Sequence, residues 1–365
     1  MEIPLVDVKA QYAPLIPQLK QAFEAVLEDG RFVFGPNVEA FEREAAEFLG
    51  VPETVGVANG TDALVIVLDA LGIGSGDEVI CPAFTFFATA ESIARVGATP
   101  VFADIDPATL NVDPADVERR ITPRTKAIMP VHLFGRPAPL AELETLVTAL
   151  GVPLVEDAAQ SFGSPDVART GIASTFSFYP TKNLFGLGDG GLIAVRDGEL
   201  AERIRMLRFH GSKSKKTFEF IGYNSRLDEV QAAALRLFLR ELDRWTAARR
   251  EAAGRYAELG LGDLCELPVD EPGHVYHLFV CRSPERDRIR GALTDAGIGN
   301  AQYYVPPLHL QPALRYLGHE EGALPETERA AAENFSVPLW AGITLEQQER
   351  VVDVVRAAAA VASRA

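Results

Sequence analysis

Apolar and polar positions along this chain repeat with two periods, and the two periods take turns. Apolar residues three or four apart predict helices over Leu15–Glu28, Val38–Leu49 and Thr61–Leu71. Short apolar runs predict strands over Thr54–Ala58, Glu78–Cys81, Thr99–Ala103, Lys126–Val131 and Val152–Val155. Pro153 is tolerable there only because it stands near the start of its strand. Helical spacing returns between these runs, over Thr85–Val96, Pro114–Arg120 and Pro139–Leu150. Two further strands are expected at Thr175–Phe178 and Leu192–Val195. Such alternation predicts an α/β fold, a mainly parallel sheet with helices on both faces.

Beyond the sheet, one long amphipathic helix is expected from about Leu227 to Ala253, connecting to a second unit. That unit should hold a strand (Val275–Cys281), a helix (Glu285–Ala296), a proline-rich turn region (Val305–Pro312) and a closing helix (Leu345–Ala362). The expected division is a large domain over 1–250 and a smaller α+β domain over 251–365.

Composition narrows the function classes. The chain has 365 residues and a net charge of −16, from 35 Lys and Arg against 51 Asp and Glu. That balance argues against a general nucleic-acid binder, which needs a basic footprint. Nothing approaches the ~18 apolar residues of a membrane span. The N-terminus has an acidic second residue and no long apolar core, so no signal peptide is expected and the location expected is cytoplasmic. Cys81, Cys265 and Cys281 are far apart, which excludes a C-x-x-C metal ribbon.

Gly186 to Gly191 matches G-x-G-x-x-G by letter, but it precedes a strand, whereas the dinucleotide fingerprint follows a strand and opens a helix. A turned loop permitting close approach is the better reading. Asn59-Gly60-Thr61-Asp62 lies between a strand and a helix, where first-turn N–H groups can bind an anion such as phosphate. A plain N-cap by Asn59 or Thr61 would look the same.

Val152–Gln160 reads as a buried strand ending in Glu156 and Asp157. A carboxylate at a strand's carboxyl end can hold a protonated ring nitrogen or merely cap the next helix. Lys182 follows another strand end among apolar and small residues, with no acidic residue until Asp189. A poorly solvated lysine can attack carbonyls, although an ordinary loop lysine is the alternative. An anion cradle, an acid, Ser177 and an isolated lysine are together the parts that pyridoxal phosphate chemistry requires. Phe84, Phe86 and Phe87 could supply a ring-covering aromatic, or could be core.

With these residues in view, the chain resembles the DegT/DnrJ/StrS-type sugar aminotransferases, pyridoxal 5'-phosphate enzymes of aspartate-aminotransferase fold type I. The resemblance runs through FGPNVEAFE, NGTDAL, GDEVICPAFTFFATA, VEDAAQSFG, FSFYPTKNLFGLGDGG, GYNSRLDEVQAA and YYVPPLHLQPA. It implies that Lys182 is the Schiff-base lysine and Asp157 the pyridinium partner. It implies that Gln160 lies beside the cofactor ring, that Phe86 stacks on it, and that Ser177 with Gly60, Thr61 and Asp62 binds the phosphate. Asn224 is expected at the phosphate of a second subunit's cofactor, and Arg226 in that same neighbouring site. Tyr304 and His309 belong to a segment similar to the family's substrate-facing one. The implied enzyme is a homodimer with shared active sites. It moves an amino group from L-glutamate, yielding 2-oxoglutarate, to the keto carbon of a UDP- or dTDP-linked sugar, the 3-keto branch being favoured over the 4-keto branch.

Two rival functions stand beside it: a nucleotide-sugar dehydratase on the same scaffold, where histidine replaces the lysine, and a non-catalytic regulatory protein. No metal site is expected, because His274 and His277 would point to opposite faces of a strand. His132, Arg136 and the basic run Lys213, Lys215 and Lys216 are further candidates for the cleft.

Overall fold

The computed structural model describes residues 2–362. Seven strands form the central sheet: β1 Glu53–Val57, β2 Glu78–Pro82, β3 Thr99–Ala103, β4 Thr125–Ile128, β5 Val155–Asp157, β6 Ala173–Ser177 and β7 Gly191–Val195. Their order across the sheet is β3-β2-β4-β5-β6-β7-β1, with β4 joined to β5 through the parallel bridges Ile128–Leu154 and Val131–Asp157. Only β7 runs against its neighbours. The expected mainly parallel α/β sheet is therefore present, and six carboxyl ends gather along one edge, where open α/β sheets bind ligands.

The helix Gly60–Ala70 explains its own position. Ala63, Leu64, Val65, Ile66, Val67, Leu68 and Ala70 are all buried, so it is apolar nearly all round and must lie inside. It packs on β6 and β7, and each fully buried Leu, Ile or Val there contributes about 1.5–3 kcal/mol. The opposite face is covered by Pro36–Leu49 and Glu229–Leu239 around Phe41, Phe176, Phe178 and Phe238.

The C-terminal part has its own core. There β8 (Phe279–Arg282) pairs antiparallel with β9 (Asn334–Val337), beneath the helices Arg286–Asp295 and Leu345–Ala362. Ile3 joins this core and bridges to Ile298, so the N-terminus packs with the C-terminal elements.

Several boundaries differ from expectation. The long helix is two, Glu229–Leu239 and Leu242–Glu258, broken at Arg240 and Glu241. The break lets Leu242 and Trp245 pack with the sheet's core while Ala252, Ala253 and Tyr256 enter the C-terminal core. The strand expected from Val275 begins only at Phe279, because Tyr276 takes φ +47° and the Val275 N–H goes to the Gly135 carbonyl. The strand expected from Val152 begins only at Val155 and ends, as its acidic close predicts, at Asp157, and the helix expected from Thr85 starts at Ala88. No helix among the described residues is long and apolar enough to cross a membrane.

Candidate active site

A cavity of ≈ 810 Å³ opens at the carboxyl edge of the sheet, and most of the expected site residues meet there. Gly60, Thr61, Phe86, Asp157, Gln160, Ser177, Lys182 and Tyr304 all line it. They arrive from different strands: Gly60 and Thr61 after β1, Phe86 after β2, Asp157 at the end of β5, and Ser177 at the end of β6.

One wall is a helix N-terminus. Asn59 caps the helix Gly60–Ala70 by accepting from the Asp62 N–H at 2.8 Å, so the capping reading of this motif holds. The cap leaves the Gly60 and Thr61 N–H groups as first-turn donors that the helix itself does not use. A Cβ on Gly60 would stand 2.7 Å from the Ser177 Cβ, so glycine is what lets the turn close against Ser177. A Cβ on Gly191 would collide with the Asn59 carbonyl. The glycines of 186–191 thus admit this chain's own atoms, Gln231 and the Asn59–Gly60 turn among them. Asp62 is held by the cap and does not line the cavity.

Lys182 is half-buried and opens to the cavity, yet protein surrounds it closely. Burial lowers its amine pKa to about 8, against the opposing pull of Asp157. A substantial fraction of neutral amine near neutrality is what a nucleophile or a proton carrier needs.

Asp157 is buried at the cavity floor. Burial raises its pKa, and the Thr89 hydroxyl, the Ala159 N–H and the charges of Lys182 and His132 offset this only in part. Thr89 donates to Oδ2 at 2.7 Å, while Oδ1 accepts only a long 3.3 Å bond from the Ala159 N–H. Glu156, its neighbour in sequence, points to the other face of the sheet. It accepts from His132 Nε2 at 3.0 Å and from the Ala168 and Gly171 N–H groups.

Gln160 is fixed at both ends: its Oε1 accepts from the Phe134 N–H at 2.6 Å, and its Nε2 donates to the Tyr304 hydroxyl at 2.8 Å. Phe86 is exposed at the cavity mouth, with Tyr304 6.2 Å away ring to ring. Phe84 is core, set edge-on to Phe134 and Tyr304.

Other candidates lie elsewhere. His132 is fully buried, its Nδ1 accepting from the Ala138 N–H and its Nε2 on Glu156, so it braces the sheet rather than lining the cleft. Arg136 pairs with Glu271 at 2.8 Å beside a separate cavity. His309 is buried against Glu328 at 3.0 Å and does not line the cavity. Lys213 pairs with Glu202, and Lys215 lies over the Phe209 ring. Asn224 and Arg226 are also absent from this chain's cavity. Arg226 lies near the Phe34 ring, and Phe32 and Val33, just before Phe34 in the chain, are exposed.

Sequence reasoning missed Leu5, Val6, Thr85, His277 and Tyr303 on the cavity wall, and Thr89 behind it. His277 does not share a strand with His274, whose Nδ1 accepts from the Tyr276 N–H, and no metal-binding cluster occurs among the described residues. Burial, with the charges of Lys182 and Arg249, pushes the His277 pKa well below the ordinary imidazole value.

The chain is 46% identical over 364 residues to a pleiotropic regulatory protein of Geobacillus stearothermophilus, covering 97% of this chain and 98% of that one. It is 43% identical over 362 residues to dTDP-3-amino-3,4,6-trideoxy-alpha-D-glucose transaminase of Streptomyces venezuelae, covering 97% and 95%. The solved structure of DesV from S. venezuelae, in complex with a ketimine intermediate, superposes with a TM-score of 0.95 at 42% identity, covering 98% of each chain. The model of the DegT/DnrJ/EryC1/StrS aminotransferase family matches residues 15–356, and the chain belongs to that family.

Proposed function

We propose that this protein is a pyridoxal phosphate-dependent aminotransferase that transfers an amino group from L-glutamate to the keto carbon of a nucleotide-linked sugar, a 3-keto sugar in preference to a 4-keto one. The observation that carries the reading is the convergence of Lys182, Asp157 and the glycine-built helix N-terminus on one cavity.

The residues fit the cofactor. The turn at Gly60 and Thr61, with the Ser177 hydroxyl, matches a phosphate, since unpaired helix N-terminal N–H groups favour anions. Asp157 matches a ring N–H, Phe86 a ring face, and Lys182 an aldehyde. Bound there, the cofactor supplies an electron sink that acidifies the Cα–H of an attached amine. The chain's own work is to anchor Asp157 through the Thr89 hydroxyl, hold Gln160 against Tyr304, and present a Lys182 amine that can take up and return a proton.

Asn224 and Arg226 complete the site of a second copy in this reading, which accounts for their absence from their own cavity. The protein then works as a homodimer, each protomer with a large domain over 1–250 and a small one over 251–365. The dehydratase alternative is disfavoured by lysine at position 182, and the regulatory alternative by a complete acid, amine and anion cradle.

The test is incubation with UDP- and dTDP-linked 3-keto and 4-keto sugars plus L-glutamate, followed by mass spectrometry. The expected result is an amine in place of the ketone oxygen, with 2-oxoglutarate released in equal amount. Failure across both series, by protein that binds pyridoxal phosphate, would overturn the substrate class.

A further inference from the structure

Asp157 needs an explanation that its own strand does not give. A carboxylate buried at the floor of a cavity loses its hydration, which favours the protonated form. Protonated, it could not hold a ring nitrogen in its cationic state. Something must keep it ionised without using the oxygen that the ring requires.

The helix Ala88–Arg95 provides that group. Thr89 is fully buried in its first turn, and its hydroxyl lies 2.7 Å from Asp157 Oδ2. Thr85, one helical turn earlier and also buried, places its hydroxyl 3.3 Å from that of Thr89. The proton order follows from bond counting. An ionised carboxylate only accepts, so the Thr89 proton points to Asp157; its oxygen then accepts from Thr85. The chain Thr85 to Thr89 to Asp157 delivers one charge-assisted bond to Oδ2, and Oδ1, which accepts only the long Ala159 bond, keeps free acceptor capacity. Thr85 lines the cavity and Thr89 does not, so Thr89 acts only through Asp157.

We propose that Thr89 is a positioning residue: its hydroxyl, oriented by Thr85, pins Asp157 Oδ2 and so sets Oδ1 as the acceptor for the cofactor's ring N–H. This rests on the pyridoxal phosphate reading above. Lys182, His132, Cys81 and Tyr304 are the other titratable groups around Asp157. None of their side chains donates a hydrogen bond to its carboxylate among the described residues. Of the groups that favour the ionised carboxylate, Thr89 contributes most.

The test measures binding of pyridoxamine phosphate, which lacks the aldehyde and so separates Asp157 from covalent capture by Lys182. Thr89→Val removes the hydroxyl and keeps the shape. Affinity is expected to fall roughly 10- to 100-fold, the range for loss of a hydrogen bond to a charged group. Thr89→Ser, which restores the hydroxyl, is expected to return to within about threefold. In an Asp157→Asn background, Thr89→Val should have almost no further effect, because the two changes remove one shared interaction. An equal loss in both backgrounds, or no rescue by serine, would make Thr89 a packing residue and overturn the proposal. Wild-type protein that does not bind pyridoxamine phosphate would overturn the cofactor reading itself, a distinct result.

Discussion

Glu156 and Asp157 are adjacent carboxylates on one strand, both buried, and their environments push them in opposite directions. Burial alone would raise both. For Glu156, three donors — His132 Nε2 and the Ala168 and Gly171 N–H groups — outweigh burial and lower its pKa. For Asp157, one hydroxyl and one long N–H bond do not suffice, and its pKa is raised. Strand geometry makes the division possible, since successive side chains leave opposite faces. The contrast separates an acid that braces the fold from the one proposed to hold the cofactor ring. The first has its acceptor capacity filled by the protein, and the second is left short, beside a cavity.

The largest expected effect comes from removing the charge on the cavity side. Asp157→Asn should lower turnover roughly 10²–10³-fold, the scale of deleting one preorganised electrostatic group. Its melting temperature should hold or rise, because a poorly compensated buried charge is gone. Glu156→Gln should do the reverse. It should lose about 1–3 kcal/mol of stability, because donors that met a carboxylate are left unmatched, while turnover of the folded protein stays within about threefold. If both variants lose stability and activity in parallel, the distinction between the two acids fails.

A pH series sharpens the same contrast. Glu156 lies below its ordinary 4.5 in the fold, so its stabilisation is complete above that value and is lost as the pH falls through the lowered pKa. Asp157 lies above its ordinary 3.8, so it favours the fold only below that value, and this is lost as the pH rises through the raised pKa. In the cofactor-free protein, the deficit of Glu156→Gln should shrink on acidification, and any advantage of Asp157→Asn should appear as the pH rises. The check is thermal unfolding from pH 3 to 7, a range on the order of the unperturbed carboxyl values and above. The smallest effect concerns Lys182: its amine should become reactive toward a small aldehyde around its pKa of about 8. Reactivity rising only above about 10, the range of an exposed lysine, would remove the argument from burial.

Much of this site can be read from the sequence because each group stands at a strand end. Asp157, Ser177 and the Asn59–Gly60 turn close strands, and Lys182 follows one, and strand ends are where hydrophobic periodicity changes. The parts that escape have no such mark. The break at Arg240 and Glu241 leaves apolar spacing running on from Leu237 to Leu242 and Trp245, so periodicity sees one helix. Asn334–Val337 is a four-residue strand directly after a helix, too short to show a period of two. Thr89 reads as an ordinary helical threonine, and only the fold brings it to Asp157, 68 positions away. His309 had a plausible neighbourhood in PPLHLQ, but Glu328 claims its ring. The opposed fates of Glu156 and Asp157 follow from strand alternation, although which face holds the cavity is set by the whole sheet.

The most direct measurement is the rise in melting temperature caused by saturating pyridoxamine phosphate in wild type, Asp157→Asn and Glu156→Gln. A ligand stabilises in proportion to its affinity for the folded state, so the rise reports binding separately from intrinsic stability. The account predicts that Glu156→Gln melts lower than wild type yet gains as much from the ligand, and that Asp157→Asn starts no lower yet gains clearly less. Equal gains in wild type and Asp157→Asn, or a gain lost in Glu156→Gln, would contradict it.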